Sequence, residues 1–263
     1  MGSATRQASA TARAALATQT GTAALATGEE LLTAGRVIGD SAQLRSTLAD
    51  PSVTDADKKA VLGSLFASFG APTRAVLDAV ATSRWSSHDD MLAGIEELGF
   101  SAIAASASED DDIIAELFSF GGAVTSDPEL ELAVGSKLGD SAAKAALVDS
   151  LLKGRVSDQT SSIVRHLVLQ PRGRRIRALV SDAANTVARE GGFEIATVTV
   201  ARELSGAQLE RLEAGLSARF GALRINQVVD PSIIGGLRVQ VGDDVIDDSI
   251  ATKLGTLKLQ LAG

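Results

Sequence analysis

LRINQVVDPSIIGGLRVQVG, running from Leu223 to Gly242, alternates apolar and polar residues at both ends and breaks in the middle. Leu223, Ile225 and Val229 on one side, and Leu237, Val239 and Val241 on the other, repeat with the period of two that places side chains on one face of a strand. The reading is therefore two short strands, around 223–229 and 237–241. Gly235-Gly236 falls inside the second pattern, where glycine weakens a strand and implies a bulge or a close backbone approach. A phosphate cradle would need a helix to follow, and Leu237–Val241 alternates as a strand instead. Gly242-Asp243-Asp244 reads as a hairpin turn before Val245-Ile246.

Outward from this stretch, Phe193–Val200 reads as a further strand, and Leu209, Leu212, Leu216 and Phe220 mark an amphipathic helix between the two. Downstream, Ile250, Leu254, Leu257 and Leu261 share one face of a terminal helix, a stripe that the domain or a partner must cover. Everything after Gly191-Gly192 is thus a small α+β unit.

Before it, from Ala8 to about Leu169, the pattern is helical. Leu31, Ala34, Ile38 and Ala42 recur at spacings of three and four, as do Met91, Ile95, Leu98 and Ala102. Thr54 and Asp55 precede the run through Val61, Leu62, Leu65 and Phe66, and Pro72 opens a helix holding Val76, Leu77 and Val80. Residues 30–66 also overlay residues 116–152 at a constant offset of 86, with Glu30-Leu31-Leu32 over Glu116-Leu117-Phe118, Gly35 over Gly121 and Lys58 over Lys144. A helix around Val76 corresponds to one around Ile163. The expected fold is mainly α with a small C-terminal α+β domain, its N-terminal antiparallel helical bundle carrying a duplicated helical segment. The expected domains are residues 1–110, 111–190 and 191–263.

Composition narrows the function. The 263 residues contain no cysteine, which removes disulfides, thiolate metal sites and thiol nucleophiles. A formal charge of −8 disfavours sequence-independent nucleic-acid binding. No segment approaches the ~18 apolar residues of a membrane span. The Ala/Ser/Thr-rich start with Arg6 and Arg13 superficially resembles a transit peptide, and Arg6 breaks the myristoylation pattern. Arg172, Arg174, Arg175 and Arg177 form the one notable basic cluster, read as a solvated helix face or a contact with an acidic protein. Glu109-Asp110-Asp111-Asp112 lacks the spacing of a calcium loop and reads as charge at a helix N-terminus. His88 and His166 stand in no metal spacing and read as surface or core-edge residues, and Trp85 reads as core packing. No nucleophile elbow and no P-loop occurs, so no cofactor, metal or catalytic residue is expected.

The apolar positions Leu223, Ile225, Val229, Ile233, Leu237 and Val239, set around Asp230 and Gly235-Gly236, resemble the C-terminal signature of the delta subunits of F-type ATP synthases and of the oligomycin-sensitivity-conferring protein. Val245-Ile246-Asp247-Asp248-Ser249 is similar to that family's hairpin-to-helix junction, with Asp248 where Gly is usual. Thr11-Ala12-Arg13-Ala14-Ala15-Leu16 looks like its first-helix motif without the opening Tyr. The resemblance covers the first ~110 and last ~75 residues, with the second repeat copy as an insertion, a length that looks typical of actinobacterial forms.

That resemblance implies a non-catalytic peripheral-stalk subunit on the cytoplasmic face of the bacterial membrane, associated with the membrane only through its complex. It implies alpha and beta subunits of the catalytic head and b subunits of the stalk as partners. Helix-in-groove recognition needs apolar anchors at helical spacing. The candidates for head contact are Ala12, Ala15 and Leu16 on the first helix with Met91, Ile95 and Leu98 on the fifth, each of which fits a place in the bundle's own core at least as well; Leu254, Leu257 and Leu261 are those for stalk contact. The alternative is a helical adaptor or regulatory protein unrelated to ATP synthase.

Overall fold

The computed structural model describes residues 2–19, 24–108, 110–135, 140–233, 235–242 and 244–247. The chain divides into two compact units, Met1–Val187 and Ala188–Gly263.

The first unit opens with α1 (Ser3–Ala17), α2 (Ala24–Asp40), α3 (Ala42–Ala49), α4 (Asp55–Leu65), α5 (Ala71–Thr82) and α6 (His88–Ala104). Local chemistry sets several boundaries. Ser41, Thr54 and Ser87 each accept a hydrogen bond from a backbone N–H in the first turn of α3, α4 and α6, satisfying donors that a helix start leaves free. Pro72 lies in the first turn of α5, where a missing N–H costs nothing. The Ser41 cap also interrupts the stripe expected on α2: Leu31, Ala34 and Ile38 are buried, but Ala42 begins the next helix and is exposed. Because α3 was not anticipated, the helix bearing Met91 is the sixth.

One core gathers Leu31 and Ile38 from α2, Leu62 from α4, Val76, Leu77 and Val80 from α5, and Met91, Ile95 and Leu98 from α6. Ala12 and Leu16 close it from α1. Each Leu-sized side chain so buried contributes ~1.5–3 kcal/mol. At one crossing α2 and α6 come close through glycine: a Cβ on Gly28 would stand 2.7 Å from the Gly99 carbonyl oxygen.

The unit continues with α7 (Ile113–Ser126), α8 (Pro128–Gly135), α9 (Ser141–Leu152), α10 (Asp158–Leu169) and α11 (Ile176–Glu190), the last running past its boundary. The helices keep the sequence offset. From α3 to α8 both ends move by 86 residues, Ala42 to Pro128 and Ala49 to Gly135; from α5 to α10 both move by 87, Ala71 to Asp158 and Thr82 to Leu169. A bond repeats with them. Glu30 of α2 accepts from the Gly70 N–H (2.9 Å) and the Thr73 hydroxyl at the start of α5. Glu116, its offset image on α7, accepts from the Ser157 N–H (3.0 Å) and the Ser157 and Thr160 hydroxyls at the start of α10. A carboxylate at a helix N-terminus satisfies free amides and the positive end of the dipole. Helical periodicity alone does not generate that pairing twice.

The second unit holds β1 (Glu194–Val200), α12 (Gly206–Phe220), β2 (Leu223–Val229), β3 (Leu237–Val241) and β4 (Asp244–Asp247). Its sheet runs β2-β1-β3-β4, with β1 and β2 parallel and the other pairs antiparallel. A parallel neighbour needs a crossover, and α12 supplies it. Gly235 and Gly236 differ from expectation. They stand before β3 rather than inside it, at φ 105° and 82°, so glycine is there for a left-handed turn instead of a bulge. The hairpin falls where read, but β4 starts one residue earlier: Asp244 pairs with Val241, and Gly242 takes φ 56°.

Candidate docking surfaces and a buried ionic joint

The residues expected to meet the head lie mostly inside. Ala12, Met91 and Ile95 are fully buried, Leu16 and Leu98 nearly so, all in one core cluster. Only Ala15 is partly exposed. The apolar spacing on α1 and α6 is thus satisfied within the bundle, and a partner would have to enter that core to touch these five. Leu254, Leu257 and Leu261 lie outside the described residues.

Polar bonds fasten α1 in place. Thr5 is held at 2.9 Å from both the Ser86 hydroxyl and the Asp90 carboxylate, and Arg13 reaches Glu97 at 2.7 Å. The outward side of α1 carries Arg6, Gln7, Ala10, Thr11 and Ala14, all exposed. Beside α4 and α5 lies a groove of about 320 Å³, with Leu62 and Leu77 in its lining and Lys59, Arg74 and Asp78 around them. An apolar-floored groove with charged side chains at its edge is the kind of trough that helix-in-groove recognition uses.

The densest polar chemistry of the unit centres on Glu96 of α6. Its side chain is 7% exposed. Both carboxylate oxygens accept from the Arg174 guanidinium at 2.8 Å, Arg172 binds one of them, and His166 Nε2 of α10 lies 3.1 Å away. Arg174 also reaches Asp182 of α11 at 3.2 Å. The Phe100 ring meets the His166 ring edge-on, with centroids 5.8 Å apart. Burial alone would raise the Glu96 pKa; the His166 hydrogen bond and the two guanidinium charges outweigh it, and the carboxyl sits below its ordinary value. Burial pushes His166 the other way from charge, below its ordinary value, against the pull of Glu96. The site is therefore a carboxylate clamped by two arginines with a neutral imidazole.

This corrects two readings. Arg175 and Arg177 are exposed as expected, but Arg172 and Arg174 are neither a solvated helix face nor free for an acidic partner: they occupy the turn between α10 and α11 and bind Glu96. Arg172 at φ 46° and Gly173 at φ 77° bend the backbone to bring both guanidinium groups to one carboxylate. His166 is a buried core residue, whereas His88 is exposed. The signal that could have found the site was an acid, Glu96, immediately after Ile95 in the apolar run of α6.

Two further readings, on Asp112 and Trp85, fall where expected. Asp112 caps α7 by accepting from the Ala115 N–H. Trp85 packs against the core, its indole N–H donating to the Val80 carbonyl at 2.8 Å. Among the described residues no cluster of His, Cys, Asp and Glu could hold a metal ion, and no helix is long and apolar enough to cross a membrane.

In the second unit the register puts Ala196, Val198 and Val200, Leu223 and Ile225, Leu237, Val239 and Val241, and Ile246 on one sheet face. Leu212, Leu216 and Phe220 of α12 pack there.

Fold and sites together define a mainly α protein with a separate small α+β unit, a multi-helix first unit locked internally by one ionic joint. The family model described as ATP synthase delta (OSCP) subunit matches residues 100–261. The chain is 54% identical over 263 residues to ATP synthase subunit delta of Leifsonia xyli subsp. xyli, covering all of both chains. It is 38% identical to that of Pseudarthrobacter chlorophenolicus, covering 97% of each, and 36% identical to that of Streptomyces avermitilis, covering 98% of each. The chain belongs to the ATP synthase delta (OSCP) subunit family. The family match takes in α7–α11 and the second unit, including the helical stretch that the sequence reading set aside as an insertion. It leaves out most of the first stretch, which the full-length relatives nonetheless share.

Proposed function

We propose that this chain is the peripheral-stalk subunit of a proton-translocating F-type ATP synthase, a non-catalytic link between the catalytic head and the membrane-anchored b stalk. The observation that carries the reading is the end-to-end relation, at 54% identity, to an ATP synthase subunit delta. The two-unit build supports it. A stator must hold one partner at each end and transmit torque between them, and two units with separate cores provide two attachment surfaces that need not compete.

The helical unit docks alpha and beta subunits of the head, through grooves and small-residue surfaces of the kind beside α1, α4 and α5. The α+β unit holds the b stalk. Membrane association on the cytoplasmic side then comes through the complex. A few buried anchors at ~1.5–3 kcal/mol each suffice for tight attachment at either end. The Glu96 joint ties α6, α10 and the turn before α11 together, so that load applied to one helical stretch passes to the other through a charge-assisted network rather than through a loose interface.

Affinity purification of the tagged full-length chain tests this: head subunits and a b-type subunit are expected together in the eluate. Recovery of the folded chain without either would overturn the reading and favour an unrelated helical adaptor.

A further inference from the structure

Within the helical unit, α2 of the first copy and α9 and α10 of the second enclose a groove of about 370 Å³, a volume in the range of sites that receive a ligand or a partner's side chains. Leu32 and Leu169 give it an apolar wall, and four charged side chains, two of each sign, share the lining. Both acids are engaged. Glu29 accepts from the Ser162 hydroxyl at 2.5 Å, and Asp149 pairs with Arg165 at 3.5 Å. Arg36 is different: its guanidinium donates to the Thr33 hydroxyl at 3.0 Å, and no carboxylate pairs with it among the described residues. Asp40, one turn further along α2, is in reach of the Gln170 amide instead, at 3.5 Å. Burial pushes Arg36 below its ordinary pKa, the Arg165 charge adds to this, and Asp40 only partly opposes it. The other partly buried guanidinium groups at this level of the fold, Arg172 and Arg174, share Glu96. A partly desolvated charge without a counter-charge is costly, and here one is held beside an open groove.

We infer that this groove receives an acidic side chain from a subunit of the catalytic head, whose carboxylate pairs with Arg36. The inference rests on reading the chain as a stator link whose helical unit faces the head. Charge complementarity selects the occupant. One guanidinium lacks a counter-charge, and its planar fork matches a carboxylate through two parallel hydrogen bonds. A doubly charged phosphate would bring surplus negative charge beside Glu29 and Asp149, whereas a single carboxylate does not. The stem of an acidic residue is apolar and finds Leu32 and Leu169 in the same lining. Position adds a role: a side chain seated here touches both helical copies at once and gives the head a second hold, apart from α1, α4 and α5.

The full-length chain, titrated by biolayer interferometry against catalytic head purified without it and, separately, against detergent-solubilised b subunits, tests this. Arg36→Gln is expected to weaken head binding about tenfold, and Arg36→Glu about a hundredfold, because two carboxylates then meet. Binding to b is expected to stay within about twofold for both. Arg177→Glu, the same charge reversal at an exposed position of α11 outside the groove, is expected to leave head affinity within about twofold as well. Urea unfolding of each variant checks that it is folded, and Arg36→Gln, which forfeits only the Thr33 bond, decides the matter if Arg36→Glu does not fold. Head affinity unchanged in the Arg36 variants, or lowered as much by Arg177→Glu, would overturn the inference and leave the stator reading standing. Loss of b binding in place of head binding would overturn the choice of partner. An unaltered chain that binds neither head nor b would overturn both the inference and the reading beneath it.

Discussion

Glu96→Ala lowers the free energy of unfolding by about 3 kcal/mol in urea titration, the lower end of what removing one partner of a buried ion pair costs. The loss comes less from the missing attraction than from what remains. Arg172, Arg174 and His166 all converge on this carboxylate, and without it two guanidinium groups face each other beside a buried imidazole. The low end of the range applies because the side chains of Arg172 and Arg174 are 23% and 29% exposed, so water compensates part of their charge. Glu96→Gln keeps the shape but not the charge and is expected to lose nearly as much. A change below about 0.5 kcal/mol, the size of an ordinary surface substitution, would contradict the geometry of the joint.

The same cluster makes stability depend on acid. The folded pKa of His166 lies below its ordinary value, so the unfolded chain takes up that proton first and stability falls as pH drops below about 6.5. Glu96 also has a lowered folded pKa; its contribution is complete above the unfolded value of about 4.3 and disappears as pH falls through the folded one. Both terms have one sign, a decline toward acid. His166→Asn is expected to flatten the decline that sets in just below about pH 6.5, while a decline below about pH 4.3 remains.

Gly28→Ala and Gly63→Ala are expected to move stability in opposite directions, although both put alanine into a helix where glycine costs about 1 kcal/mol. Gly63 on α4 has no atom within 4 Å of the added Cβ, so the helix gains in full and the chain is stabilised by up to about 1 kcal/mol. Gly28 on α2 would bring its Cβ to 2.7 Å from the Gly99 carbonyl oxygen and 2.5 Å from Ile103 Cγ1. A backbone atom cannot turn aside as a side chain does, and α2 and α6 must separate, costing about 1–3 kcal/mol after overpacking of a close-packed core. Thermal unfolding of the two variants checks this directly; stabilisation by both would mean that the helices do not cross at this glycine pair.

The α+β unit was readable in detail because its signals are local. Alternation at Leu223–Ile225 and Val239–Val241, and Gly-Asp between two apolar pairs, each depend on neighbours within a few residues. Among the described residues the Gly235-Gly236 pair was misplaced, since a left-handed turn and a bulge make the same demand on sequence. Of the ionic joint only the acid in the apolar run of α6 was visible; its partners were not, because Glu96 and Arg174 are brought together only by tertiary packing and their charges carry no mark of each other. The head-contact candidates lie in the bundle core for a related reason. Ala12, Met91, Ile95 and Leu98 show the helical spacing that a partner groove requires, but a bundle's own core requires the same spacing. The repeat was legible through Glu30 and Glu116, yet nothing in sequence said that these two acids hold the starts of α5 and α10.

Membrane vesicles carrying the synthase, stripped of this chain and then resupplied with it, test the stator role most directly. Proton-gradient-driven ATP synthesis is expected to disappear on stripping and return with the added chain, while ATP hydrolysis by the released head persists throughout. Synthesis that continues undiminished in vesicles lacking the chain would contradict a link between head and stalk.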